Sequence, residues 1–188
     1  MGDTAGMPHL TITELDAGLD HVMRSPQMHG TVELIVVRPG FGERRVLEEA
    51  DLDVVSGVVG DTWNARPSRR TTDGSPHPDM QINIMNARCI ALLAQELERW
   101  PLAGDQLYVD LDLSAGSLPP GTRCELGSAV VEITEQPHRG CAKFADRFGS
   151  AALRWVNSVQ GRELRLRGVN ARVVRSGRVR RGDRISRA

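Results

Sequence analysis

Hydrophobic and polar residues change their spacing several times along the chain, and each change marks an element. Leu15, Leu19, Val22 and Met23 recur at helical spacing behind Thr11 and Thr13, either of which can cap the helix. Glu14 and Asp16 fall in its first turn, where the helix dipole favours acids. From Gly30 the pattern turns β-branched. Thr31-Val32-Glu33-Leu34-Ile35-Val36-Val37 reads as a strand that stops at Arg38-Pro39-Gly40, and Arg44 to Leu47 as its returning partner. Residues 60–82 are rich in proline, glycine and small polar residues and predict a long loop, either functional or a plain surface excursion. Ala87, Ile90, Ala91, Ala94 and Leu97 then form the apolar stripe of a helix over roughly 86–100, ended by Pro101.

The second half reads mainly as strands. Leu107, Val109, Leu111 and Leu113 alternate with Tyr108, Asp110 and Asp112, the period of a half-buried strand. Leu118-Pro119-Pro120-Gly121 turns the chain into a strand over 124–134, interrupted by Gly127. Residues 141–157 return to helical spacing, with Gly149 as punctuation, and short strands follow at 164–169, 171–174 and 178–185. Gly-Asp recurs at 60–61, 104–105 and 182–183, at unequal intervals, which predicts a recurrent tight turn and not a repeat. Short strands with few helices and no strict βαβ alternation predict a mainly β, barrel-like domain over 29–188. An N-terminal helical arm, residues 1–28, precedes it.

Composition narrows the classes. A chain of 188 residues, 40% hydrophobic and 26% charged, has the profile of one globular domain and not of a disordered chain. Lys plus Arg and Asp plus Glu balance at 24 each, so no whole-chain field draws it to nucleic acid or membrane. No apolar run reaches the roughly 18 residues of a membrane span. The first 20 residues are too acidic and broken for a signal peptide, so the expectation is a cytoplasmic protein. Cys89, Cys124 and Cys141 form no C-x-x-C pair, and the five histidines show no zinc spacing. Cys89 inside a helix and Cys124 in a strand read as buried hydrophobes.

Cys141 reads differently. Gln136-Pro137-His138-Arg139-Gly140-Cys141 turns sharply out of a strand, and helical spacing begins directly after it. The thiol is thus expected at a helix N-terminus, with His138, Arg139, Lys143 and Arg147 adding positive groups nearby. Surroundings of this kind make a thiolate, the nucleophile and metal ligand, more abundant. Lys143 is also the only lysine among the 24 basic residues. Phe144 and Phe148, four apart, read as core packing.

The run Pro137-x-x-Gly140-Cys141-x-Lys143-Phe144-x-x-Arg147-Phe148-Gly149 resembles the central motif of the MOSC domain family, named for the C-terminal domain of molybdenum cofactor sulfurases. Leu126-Gly127-x-Ala129-x-Val131-Glu132-Ile133-Thr134 is similar to the strand before that motif, and Gly168 to Asp183 to the family's closing strands. His77-x-Asp79 and Gly104-Asp105 also fall where the family has comparable elements, so the resemblance spans roughly 30–186. It implies a MOSC-type β-barrel with a few peripheral α-helices. It also implies a reactive cysteine, Cys141, that carries sulfur as a persulfide or ligates molybdenum in the molybdenum cofactor.

The neighbouring cations His138, Arg139, Lys143 and Arg147 would hold the cofactor's anionic groups. His77, Asp79 and Asn64 of the long loop are further candidates for the pocket wall. Relatives that carry the cofactor reduce N-hydroxylated compounds, and they have an additional N-terminal β domain. Here about 28 residues precede the barrel. Others are fused to a pyridoxal-phosphate cysteine desulfurase. No such domain is recognisable in this sequence, so pyridoxal phosphate is not expected, and a separate desulfurase or a redox partner is the implied partner alongside a small-molecule substrate.

Two other readings remain open at the level of the sequence. One is a barrel that binds an anionic ligand without chemistry. The other is nucleic-acid binding through residues 162–188, which hold ten arginines against Glu163 and Asp183. No aromatic residue interleaves them, which argues against base stacking, and arginines along edge strands also serve to block edge pairing.

Overall fold

The computed structural model describes residues 8–68 and 70–188; residues 1–7 of the expected N-terminal arm and Arg69 of the long loop lie outside the described residues. In chain order the elements are α1 (Ile12–Met23), β1 (His29–Val37), β2 (Arg45–Leu47), β3 (Glu49–Asp53), β4 (Gly57–Val58), β5 (Ile82–Asn86) and α2 (Ala87–Ala94). Then come β6 (Leu107–Asp110), β7 (Arg123–Leu126), β8 (Ala129–Ile133), α3 (Ala142–Asn157), α4 (Val159–Glu163), β9 (Val169–Arg175), β10 (Gly177–Arg180) and β11 (Arg184–Arg187).

Strand β1 joins the two halves of the core. Its pairing with β6 shifts register between Val32 and Leu34, a β-bulge that changes which face each following side chain takes. Val32, Ile35 and Val37 enter the barrel interior, whereas Leu34 and Val36 enter a second core beneath the helices. Burial on both faces explains why Leu34–Val37 is apolar without alternation. Its far edge is divided, His29–Thr31 pairing with β11 and Ile35–Val37 with β2.

That division closes the barrel. The strands run β1, β6, β5, β9, β8, β7, β11 and back to β1, a mixed barrel in which only β5 and β6 are parallel. This is the mainly β fold with peripheral helices that the sequence implied. The small sheet β10–β3–β4 adds Ala50, Leu52, Val58 and Val179 to the same interior cluster. Helices α1, α2 and α3 cover one outer face, burying Leu15, Ile90, Phe144 and Phe148 against Leu34, Met85 and Tyr108. Helix α1 begins with a capping box in which the Glu14 N–H donates to Thr11 Oγ1 and the Thr11 N–H donates to Glu14 Oε2. The Trp155 Nε1–H donates to Asp16 Oδ1 at 2.9 Å and ties α1 to α3. No helix among the described residues is long and apolar enough to cross a membrane.

Several elements differ from the sequence expectation. The helix expected over 86–100 stops at Ala94, where Gln95 takes a left-handed φ of 64°, and continues as a 3-10 turn over Leu97–Ala103. Pro101 lacks the N–H that an α-helix requires there. The strand expected at 164–169 is instead a turn that follows α4, through Arg165 and Gly168, both with positive φ, and β9 begins only at Val169. Strand β5, at the centre of the sheet, falls at the edge of the expected loop. Its buried residues lie on both faces and carry no period-two signal. Between the parallel strands β5 and β6 the chain makes one βαβ crossover through α2.

Candidate functional site

Two glycines place Cys141. At Gly149 the backbone has φ 93° and ψ 159°, which breaks α3 in the middle. A straight helix of that length would put its ends about 24 Å apart. Instead the second half folds back, and Asn157 exchanges two 3.0 Å hydrogen bonds with the backbone of Gly140. An added Cβ at Gly140 would stand 2.8 Å from Leu153 Cδ1 and 3.0 Å from Val156 Cγ2, so a side chain here would push those methyl groups aside. Cys141 follows as the N-cap of α3. Its carbonyl accepts from the Phe144 and Ala145 N–H groups, and its side chain makes no capping hydrogen bond. The thiol is exposed, whereas Cys89 and Cys124 are buried. Burial drives the Cys89 thiol pKa far above its ordinary value and pushes that of Cys124 up to about 11.

Cys141 opens onto a cleft of about 770 Å³. Six cations line it: Arg38, Arg44, Arg66, Lys143, Arg147 and Arg167, with Asp146 the one acid among its lining residues. Two of the six are neutralised within the fold. Arg38 donates to both oxygens of Asp61 at 2.8 Å. Burial alone would raise the Asp61 carboxyl, but hydrogen bonds from Arg38 and the Trp63 N–H outweigh it and hold the pKa below its ordinary value. Arg167 Nη1 donates to both oxygens of Asp105 at 2.9 and 2.7 Å, and its guanidinium lies 5.0 Å over the Phe144 ring. Asp105 is fully buried, which raises its carboxyl pKa against the pull of Arg167.

The other four, Arg44, Arg66, Lys143 and Arg147, have no carboxylate partner among the described residues. Thr62 Oγ1 accepts from Arg66 at 2.8 Å, and the carbonyl of Leu102 accepts from Arg147. Lys143 Nζ lies 5.0 Å over the ring of Phe41, which is 95% exposed. Burial first, then repulsion from Arg147, Arg38 and Arg66, lowers the Arg44 pKa. Arg44 Nε is buried without a hydrogen-bond partner.

The residues singled out from the sequence divide among several places. Cys141, Lys143 and Arg147 share this cleft. His138 and Arg139 line a separate cavity. His138 Nδ1 stands 3.4 Å from Asp105 Oδ1 but without hydrogen-bond geometry. Arg167 already neutralises Asp105, and burial beside Arg167 and Arg38 pushes the His138 pKa well below the usual histidine value, so it contributes a neutral imidazole and no positive charge. His77 lines an adjoining pocket with Trp63, Met80 and Arg66, and its Nδ1 accepts from the Asp79 N–H. The Asp79 carboxylate pairs with Arg172 at 3.2 Å and lines another surface pocket, and Asn64 is an exposed residue of a 3-10 turn over Trp63–Ala65. Neither is among the cleft's lining residues.

Sequence reasoning had not picked out Arg38, Arg44, Arg66 or Arg167. Arg38 and Arg44 flank the turn after β1, and Arg66 lies in the long loop, so position at a strand end and in a non-repetitive loop was the available signal. Of the ten arginines over 162–188, Arg167, Arg172, Arg178, Arg180 and Arg181 form ion pairs with carboxylates elsewhere in the chain. Among the described residues no group of three or more His, Cys, Asp or Glu side chains could hold a metal ion.

The closed mixed barrel and its thiol-bearing cleft, whose lining cations outnumber its acids, define the class: a β-barrel protein with an exposed cysteine in a cationic cleft. The family model of the MOSC domain matches residues 42–186, and the chain belongs to that family. Its fold is similar to that of the YuaD protein from Bacillus subtilis, at 20% identity and TM-score 0.63, covering 84% of this chain and 94% of that one. It is also similar to YiiM from Escherichia coli, at 19% identity and TM-score 0.55, covering 86% of this chain and 70% of that one. No curated protein matches the sequence significantly.

Proposed function

We propose that the protein binds a molybdenum-cofactor-type ligand through Cys141 and the cations of its cleft. The observation that carries this reading is an exposed thiol among four cations that the fold leaves without carboxylate partners. The donor set fits the group. Cys141 supplies one soft ligand for molybdenum, and Arg44, Arg66, Lys143 and Arg147 supply charge for a pterin phosphate and metal-bound oxyanions. When bound, the cofactor would supply two-electron chemistry at the metal, as in reduction of an N-hydroxylated compound. The chain's own part is to bind and orient. Arg66, held by Thr62, and Arg147, held by Leu102, are pre-positioned for an anion, and the Arg38–Asp61 and Arg167–Asp105 pairs keep the cleft's frame rigid.

The same thiol could serve sulfur transfer. The Cys141 thiolate would attack the terminal sulfur of a donor persulfide, such as that of a cysteine desulfurase. A new S–S bond forms on Cys141, the donor's S–S bond breaks, and the donor leaves as its thiolate. A desulfurase or a redox partner is thus the partner class this reading implies.

The test is molybdenum content and released-pterin fluorescence on protein from a cofactor-producing host, with wild type beside Cys141→Ala. Near-stoichiometric metal and pterin, lost in the variant, is the expected result. Neither in either protein overturns cofactor binding, and the mass increment of one sulfur on Cys141 would then identify the persulfide route. Anion binding equally strong in Cys141→Ser would reduce the site to a binding pocket.

A further inference from the structure

A second cavity lies behind Arg167, separate from the Cys141 cleft. It measures about 260 Å³ and runs between the turn before Cys141, α4 and the turn into β9. Arg139, Arg162 and Arg165 line it, none of them with a carboxylate partner among the described residues, and Glu135 is the one acid on its wall. Arg167 lines both cavities but is already balanced by Asp105, so the second wall keeps three positive charges against one negative.

Two further observations mark the wall as built for an anion. Arg165 holds a φ of 50°, a left-handed backbone that L side chains other than Asn and Asp rarely adopt. Its guanidinium is half-buried, and burial works against its charge. Its Nη1 donates to the Leu118 carbonyl, but no carboxylate among the described residues answers its charge, a solvation cost that a bound anion would offset. In addition, Arg167 Nε, on a residue of this wall, is buried without a hydrogen-bond partner.

We propose that this cavity is a second anion site, which takes a small tetrahedral phosphoryl group, either inorganic phosphate or the phosphate of a small monoester. Its volume favours a small ligand. It exceeds the roughly 30 Å³ share of one water several times and falls short of the roughly 300–1,000 Å³ of pockets for larger organic ligands. The cations supply the charge-assisted hydrogen bonds that phosphate accepts, and Arg can present them in pairs. The site does not depend on the Cys141 reading, since the two share only Arg167.

The test is a titration of 15N-labelled protein with inorganic phosphate, and in a parallel arm with glycerol phosphate, at constant ionic strength. The reporters are the Arg162 and Gly168 amides and the His138 ring. Saturable shifts at these positions are expected, with Kd raised about tenfold in Arg139→Gln/Arg162→Gln. Arg139 and Arg162 are exposed, so this variant should keep the wild-type unfolding midpoint, and Arg162→Gln alone provides a milder version. Lys143→Ala, in the other cleft, should leave the shifts unchanged. Whichever arm binds more tightly identifies the free ion or the ester as the ligand source. Shifts that rise linearly without saturation, or that survive the arginine substitutions, overturn the proposal.

Discussion

Arg38 and Arg167 line the same cleft as Arg44, Arg66 and Arg147, yet the two groups have opposite surroundings. The first two are buried, and each is locked onto a carboxylate that follows a glycine, Asp61 after Gly60 and Asp105 after Gly104. The other three are partly exposed, with Lys143 beside them in the lining, and none has a carboxylate partner among the described residues. Charge that the fold neutralises belongs to the frame; charge it leaves over is available to a ligand. A residue count alone would not have separated the two groups.

Breaking a framework pair should have the largest effect. Asp105→Asn keeps the shape but leaves Arg167 buried and unbalanced, a loss of about 3–5 kcal/mol in urea unfolding. A loss as small as that of a surface substitution would erase the distinction between the two groups.

The next effect is in pH. His138 stays neutral in the folded protein, so below its ordinary pKa of 6.5 the unfolded chain binds more protons than the folded one. Stability should therefore fall as pH drops below that value, by up to about 1.4 kcal/mol per pH unit. His138→Gln should flatten that part of the unfolding curve, because Asp105, Arg167 and Arg38 remain in both proteins. An unchanged slope would mean that His138 is not held neutral.

A wall cation should behave in the reverse sense to Asp105. Arg44→Met relieves repulsion from Arg147, Arg38 and Arg66 and removes a buried unpartnered Nε, so stability should hold or rise by about 0.5 kcal/mol. Binding of molybdate or phosphate in the cleft should weaken in the same variant, and its salt dependence should fall. Destabilisation with unaltered anion binding would move Arg44 into the frame.

Smallest in energy is Cys141→Ala, which should change stability by no more than about 0.5 kcal/mol because the side chain is exposed. Thiol labelling sharpens this contrast among the cysteines. Cys141 should react in the native protein, and Cys89 and Cys124 only after unfolding. Rapid native labelling of all three would contradict the buried positions of Cys89 and Cys124.

Elements with a one-sided environment were legible in the sequence. Helix α1 has a capped start and a single apolar stripe, and it was read nearly to its ends. Strand β5 is buried on both faces and sits between β9 and β6, so nothing in its own five residues announces a strand. The long helix expected after it was divided by a left-handed Gln95, a residue whose backbone carries no warning in the sequence. Within the cleft, Cys141, Lys143 and Arg147 were legible because they lie within one turn and the helix segment after it.

By itself, then, the sequence determined the special position of Cys141, the order of turns and most strands, and membership of a barrel family. Turn chemistry and side-chain period act over a few neighbouring residues and leave their mark there. Tertiary structure alone decided where the barrel closes and which arginines are spoken for. Asp61 lies 23 residues from Arg38, and Asp105 lies 62 from Arg167. Pairings over such distances exist only once the strands have brought their ends together, so the free charge of the cleft is a property of the folded chain.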